Sequence, residues 1–269
     1  MTVQVLVSTM HQTDYSLLDK MNIQTDAIVV NQCDRNEIAE FEYNGNHIKW
    51  ISLAERGVGL SRNTALMRAT ADILLFADDD VVYEDGYSDT VRSEYLLNDK
   101  MDLITFNIKS LNDARSEFLD IRNHRLHWYN SLRYGAFRIS VKREAAQKHN
   151  LFYSLLFGGG APHQAGEDNL FIMEALHKGM YLMASEKMIG TVAQKESTWF
   201  KGYDEKYFFD RGFLFANMFG LWAKPILLAF EIKDKKRESD LTATKRFFLE
   251  CNGVRSYKRK NEKSSGSLK

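Results

Sequence analysis

The sequence predicts an α/β fold: an open, mostly parallel sheet flanked by helices and continued by a helical C-terminal extension. Three observations carry that prediction. Short apolar runs alternate with helical stretches through the first hundred residues. Each run ends in a polar loop, which is where open parallel sheets bind their ligands. One run, Ile73, Leu74, Leu75 and Phe76, is continuous and bounded by polar residues, as a buried strand is, and leads into Asp78, Asp79 and Asp80.

In chain order, residues 3–7 form the first strand, ending at Ser8 and Thr9. Residues 15–21 form a short helix. Residues 27–30 give a second strand, followed by the polar cluster Asn31, Gln32, Cys33, Asp34, Arg35 and Asn36. Residues 47–52 are a third strand. Gly57, Gly59 and the cap residue Ser61 then open a helix over 62–70. The two glycines make no dinucleotide fingerprint, because Arg62 stands where the third glycine belongs. They suit a turn into a helix. Arg62 beside that helix start suits a phosphate, or simply the surface.

Residues 84–98 read as a helix and 102–108 as a strand. Residues 117–132 are charged and aromatic. His124 and His127 would share a face if helical, but no third metal ligand is near in sequence, so a solvated or acceptor-lining face is expected. A strand over 135–140 and a helix over 141–149 follow. Gly158, Gly159, Gly160, Pro162 and Gly166 make 157–169 a loop that closes on Glu167 and Asp168, just before a helix over 170–178. Acidic residues there cap a helix and complement its dipole, while the glycines let a ligand approach the backbone. Strands over 181–184 and 188–192 and a polar loop over 194–199 complete this part.

The chain has 269 residues, enough for one large domain or two small ones with a sizeable core. Its 36 basic residues balance 36 acidic ones and 44% of it is hydrophobic, a globular composition that argues against disorder and against a nucleic-acid partner. Cys33 and Cys251 form neither a disulfide framework nor a spaced metal set and are expected as free thiols in a reducing compartment. Residues 1–9 are apolar but too short for a signal peptide, and they lack its basic lead-in. Residues 207–230 are rich in Phe, Leu and Met, with Pro225 as a break. Their largest uncharged piece, 212–223, falls short of the roughly 20 residues that a bilayer span needs, so a buried or interfacial helix pair is expected. From Asn252 on the chain is basic, with Arg255, Lys258, Arg259, Lys260, Lys263 and Lys269. That composition predicts a flexible tail, in solvent or against an anionic membrane surface.

Three carboxylates at a strand end repel one another, and burying them is costly unless positive charge joins them. A divalent cation with oxygen preference supplies that charge and can carry a phosphate-bearing ligand. A solvated turn or a helix N-terminus also uses such residues.

Three features stand in one order: the strand–loop start of residues 3–34; Gly57-x-x-x-Ser61-Arg62-Asn63-x-Ala65 followed by Asp78-Asp79-Asp80; and Gly166-Glu167-Asp168 after a Gly-rich loop. Together they resemble the family 2 glycosyltransferases with the GT-A fold, of the bacterial surface-polysaccharide type, over residues 1–200. The resemblance implies inverting transfer of a sugar from a nucleotide-sugar, a UDP-sugar by expectation, to an acceptor hydroxyl. It assigns Asp78 and Asp80 to a Mg²⁺ or Mn²⁺ on the diphosphate and Asp79 to the ribose or donor sugar. It assigns Asp168 to the general base, with Glu167 as its neighbour. Arg62 and Asn63 would lie near the nucleotide, Ser8 and Thr9 at the base, and Gly159 and Gly160 beside the bound substrates.

Two departures stand out. Asn31 and Gln32, with Asp34 two residues on, occupy the place of a carboxylate pair after the second strand, and amides too can read a uracil edge. Many relatives also have a late His on the metal, whereas no His follows His177 and Gln194, a poor ligand, stands at about that distance.

The implied acceptor is a saccharide or lipid-linked saccharide in capsule or other surface polysaccharide synthesis, and the implied place is cytoplasmic, peripheral on the inner face of the plasma membrane. A sugar nucleotidyltransferase and a non-catalytic nucleotide-sugar-binding homologue are the alternatives. The expected division is a catalytic domain over 1–200, with a nucleotide-sugar half over 1–110 and an acceptor half over 111–200, then an apolar helical extension over 201–251 and a basic tail over 252–269.

Overall fold

The computed structural model describes residues 1–112, 118–194, 202–233 and 239–266. In chain order they form β1 (Val3–Met10), α1 (Leu17–Lys20), β2 (Asp26–Gln32), β3 (Glu37–Tyr43), β4 (Asn46–Leu53), α2 (Val58–Leu66), β5 (Ile73–Asp78), β6 (Val81–Tyr83), α3 (Tyr87–Leu97) and β7 (Leu103–Ser110). Then come β8 (His124–Arg125), β9 (Ile139–Lys142), α4 (Arg143–Lys148), α5 (Glu167–His177), β10 (Leu182–Val192), α6 (Glu205–Phe219), α7 (Ala223–Lys233) and α8 (Ala243–Gly266).

The strands make one sheet in the order β3-β4-β2-β1-β5-β9-β7-β10-β6, with β8 beside β10. β4, β2, β1 and β5 run parallel. β9 enters antiparallel between β5 and β7, so the sheet is mixed. Val5, Val7, Leu75 and Ala77 face one buried layer, and Leu6, Leu74 and Phe76 face the other. Burial on both faces explains why these strands read as continuous apolar runs rather than alternating ones.

Several boundaries differ from expectation, each for a local reason. β3 was not expected, yet Asn44 and Gly45, at φ 50° and 79°, form a two-residue hairpin loop between β3 and β4. Helix α2 begins four residues early, because Gly57 at φ 134° starts it, and Ser61 is buried with its hydroxyl on Ser8 rather than capping. Ala136–Arg138 is a 3-10 turn, so the strand expected over 135–140 begins only at Ile139. The two late strands are one, β10, irregular between Ala184 and Met188 where exposed Glu186 and Lys187 interrupt the apolar pattern. His124 lies in β8 and His127 in the turn after it, so the two share no helix. Of the polar loop over 194–199, residues 195–199 lie outside the described residues.

The extension folds onto the catalytic part. Phe157, Leu170 and Met173 share a core with Phe213, Leu214, Met218, Leu227 and Val254. The chain from Asn252 continues α8 to Gly266, so the tail expected to be flexible is helical there. Gly253 and Gly212 each lie where a β-carbon would strike the backbone of the other helix, so α6 and α8 cross in close contact. Around that crossing Arg211 of α6 bonds Glu231 of α7 and Glu250 of α8, and Arg246 of α8 completes the buried set at 2.7 Å from Glu231.

Candidate active site

The chain turns from β1 to β2 and β4 on one side and returns to β5 on the other, so a crevice opens beyond the carboxyl ends of β1 and β5. Such a switch point is where open α/β sheets hold ligands. Ser8 stands opposite Asp78 at this edge. The crevice has a volume of about 1040 Å³. It is lined by Ser8, Thr9, Gln32, Arg62, Asp78, Asp79, Asp80, Gly159, Glu167 and Asp168 among others, which brings most of the expected residues to one place.

Arg62 is the hub. It is buried on α2, whose small residues Gly59 and Ala65 let the helix lie close to its neighbours. Its Nη2 donates to Asp78 Oδ1 at 2.9 Å, and its Nη1 donates to Asp168 Oδ1 at 2.7 Å and Glu167 Oε1 at 3.2 Å. Tyr153 offers its ring 5.1 Å from the guanidinium. Burial alone would lower the proton affinity of this group, but Asp168 and Asp78 overcome it and hold the charge firmly. One side chain thus links the end of β5 to the start of α5.

Asp168 opens α5, where Gly166 at φ 110° turns the chain and packs against Leu214. Its Oδ2 accepts from the Ala136 backbone N–H at 2.9 Å. Burial raises its pKa to about 7 against the pull of Arg62. A carboxylate in that range suits proton abstraction near neutral pH. Asp79 Oδ2 accepts from the Thr9 hydroxyl at 2.6 Å, and Gln12 donates in turn to Thr9. Asp80 Oδ2 accepts from the Gln194 backbone N–H at 2.9 Å. Burial, then the charge of Asp78, pushes the Asp80 pKa up.

Four expected ligand residues do not line the crevice. Asn31 is buried with its amide spent on the Gln12 backbone, donating at 2.9 Å and accepting at 3.0 Å. It holds the loop after β1. Asn63 clamps the Tyr153 backbone in the same two-way fashion, at 2.8 and 2.9 Å. Asp34 is exposed on the loop beyond β2, away from the crevice lining. Gly160, at φ 80°, packs against the Gly57 backbone and closes the loop behind Gly159. Gln32 stays at the crevice, with Oε1 accepting from the Gly57 N–H at 2.7 Å. Gln194 serves through its backbone, while its side chain turns to Ser110.

Gln12, Ala136 and Tyr153 were missed by sequence reasoning. Gln12 follows the first strand end closely enough to have been suspected. Ala136 and Tyr153 act through a backbone N–H and a ring face, and neither use leaves a mark on residue type.

The charge of the crevice is of the kind a hard divalent cation would meet. Asp78, Asp79, Asp80, Glu167 and Asp168 line the crevice with Lys20, Arg62 and Arg133; Arg62 pairs with Asp78, Glu167 and Asp168, and among the described residues no Lys or Arg pairs with Asp79 or Asp80. Negative charge is in surplus, and its donors are carboxylate oxygens. No three or more His, Cys, Asp or Glu among the described residues form a group that could hold the ion alone. A cation here would rest on one or two carboxylates and take its other oxygens from phosphate and water, as Mg²⁺ commonly does.

Fold and crevice define an α/β enzyme with a carboxylate-lined site at a sheet switch point. The chain belongs to the family 2 glycosyltransferases: the model of "Glycosyl transferase family 2" matches residues 8–158, more than half of it. It is therefore a glycosyltransferase. Among solved structures, S. aureus TarS 1–349 in complex with UDP-GlcNAc has a TM-score of 0.58 at 16% identity, over 96% of this chain and 71% of that one. S. aureus TarS 1–349 alone gives a TM-score of 0.56 at 16% identity, over 97% and 74%. These likenesses bear out the GT-A fold. No curated protein matches the chain.

Proposed function

We propose that this glycosyltransferase moves a sugar, with inversion, from a UDP-sugar to an acceptor hydroxyl in surface polysaccharide synthesis. The observation that carries this reading is the Arg62 bridge, which joins the carboxylates of Asp78 and Asp168, both lining the crevice, through one guanidinium. The UDP-GlcNAc complex of TarS, which shares the fold, supports a nucleotide-sugar as the donor class.

Asp78 and Asp80 would hold Mg²⁺ or Mn²⁺, which when bound neutralises charge developing on the leaving diphosphate. Ser8, Thr9 and Gln32 line the crevice and would meet the nucleotide, while Asp79, held by the Thr9 hydroxyl, would meet the ribose or sugar. Asp168 takes the proton of the attacking hydroxyl, which lets attack come from the face opposite the diphosphate. Arg62 keeps Asp168 oriented, and the Ala136 N–H holds its second oxygen.

The test is a panel of nucleotide-sugars with Mn²⁺, read by thermal stabilisation and by slow donor hydrolysis. One donor should raise the melting temperature in the presence of metal, and Asp80→Ala should remove that gain. Undiminished metal-dependent binding in Asp80→Ala would overturn the metal assignment. Stabilisation by no nucleotide-sugar would overturn the donor class.

A further inference from the structure

Leu221 and Trp222, at the turn between α6 and α7, are 83% and 71% exposed. They do not stand alone. Trp128 and Tyr129 are also exposed, and the Trp128 ring lies 6.1 Å from that of Phe219 beside the same turn. Two segments ninety residues apart in sequence therefore build one aromatic and aliphatic tip. The tip sits close to the crevice, because Leu132, a few residues after Trp128, both lines the crevice and packs on the core of the extension.

The charge around the tip is mainly positive. Residues 212–230 and 251–262 contain Lys224, Arg255, Lys258, Arg259 and Lys260 against a single acidic residue, Glu262. α8 runs alongside α6 in the same direction: Lys245 pairs with Glu205 near the start of both, and Tyr257 meets Phe213 further on. Its exposed basic stretch thus heads for the end of the bundle that carries the tip. Lys224 and Arg255 both lie near enough to Cys251 to act on its thiol. Trp and Tyr with Leu at the apex and Lys and Arg around it suit the boundary of a bilayer, where apolar bodies enter and cationic heads stay among anionic headgroups. A protein interface core, by contrast, is depleted in Lys.

We propose that the α6–α7 tip, with Trp128 and Tyr129, docks on an anionic lipid surface and so presents the crevice to a membrane-borne acceptor. The acceptor clause rests on the glycosyltransferase reading, whereas the docking does not.

The test is flotation of the full chain with phosphatidylcholine vesicles, with and without phosphatidylglycerol, beside the variants L221S/W222S and R255E/K258E. The wild type should float with the anionic vesicles and far less with neutral ones. L221S/W222S should lose flotation at all salt concentrations. R255E/K258E should lose roughly tenfold or more in partitioning at low salt and match the wild type at high salt, where the attraction is screened. Melting temperature and donor hydrolysis without vesicles should be unchanged in both variants, which separates docking from folding and from the fate of the donor assignment. A wild type that stays unbound, or an L221S/W222S that floats as well as the wild type, overturns the proposal. A wild-type dimer in solution that L221S/W222S dissolves, without flotation, also overturns it and assigns the tip to a second copy.

Discussion

Asp168 is held by two opposing effects. Burial disfavours its charge and brings its pKa to about 7, while Arg62 favours the charged form. In the proposed role the carboxylate must be ionised, so the rate should fall as pH drops through about 7, a limb to be read in a pH profile of transfer. Asp168→Asn keeps the shape and an oxygen that can accept from either Arg62 or the Ala136 N–H, while Asp78 and Glu167 still pair with Arg62, so the fold should persist while transfer falls by ~10²–10⁴. Transfer at the wild-type rate would reduce Asp168 to a structural partner of Arg62. The residue was legible because a Gly-rich loop closes on it in a recognisable motif. The backbone clamps of Asn31 and Asn63 were not legible because an amide that reads a base and an amide that clamps a backbone are the same residue type. Only their partners, the Gln12 and Tyr153 backbones, tell them apart.

Among the elements, the parallel strands were legible because burial on both faces writes a continuous apolar run. β3 was overlooked although Asn44-Gly45 is a strong hairpin signal, because its Glu-rich alternation has little apolar weight. The length of α8 was hidden too, since its basic residues resemble a solvated tail, while the glycine that seats it on α6 gives no periodic signal. That contact makes a sharp prediction. Gly253→Ala gains up to about 1 kcal/mol of helix propensity. The new β-carbon meets the Phe209 carbonyl oxygen, which is backbone and cannot swing aside. Overpacking of this kind typically costs about 1–3 kcal/mol, so the net effect should be destabilising, measured by urea unfolding. A stabilised Gly253→Ala would mean that the two helices are not in close contact.

At the scale of the whole molecule, the resemblance reached the sheet and its switch point but not the way the extension is joined to them. Phe157 and Leu170 belong to the catalytic part, yet their core is completed by α6, α7 and α8. Trp50 lies buried in the sheet and Trp222 on the extension at the turn between α6 and α7, so they report on the two parts separately. Unfolding followed in variants that keep only one of these tryptophans should give coincident midpoints, as a single cooperative unit does. Separated midpoints would show the helices to be an independently stable module.

The Arg62 bridge has a consequence of its own. A single counter-ion serves two carboxylate sites on elements far apart in sequence. Any species that draws the guanidinium toward Asp78 loosens its hold on Asp168, and protonation of Asp168 frees it for Asp78. Such exchange is reciprocal, because linkage allows no one-way influence between two equilibria. Loading of the strand-end site and the basicity of Asp168 therefore cannot be set independently in this fold, and a substitution aimed at either will be felt at the other.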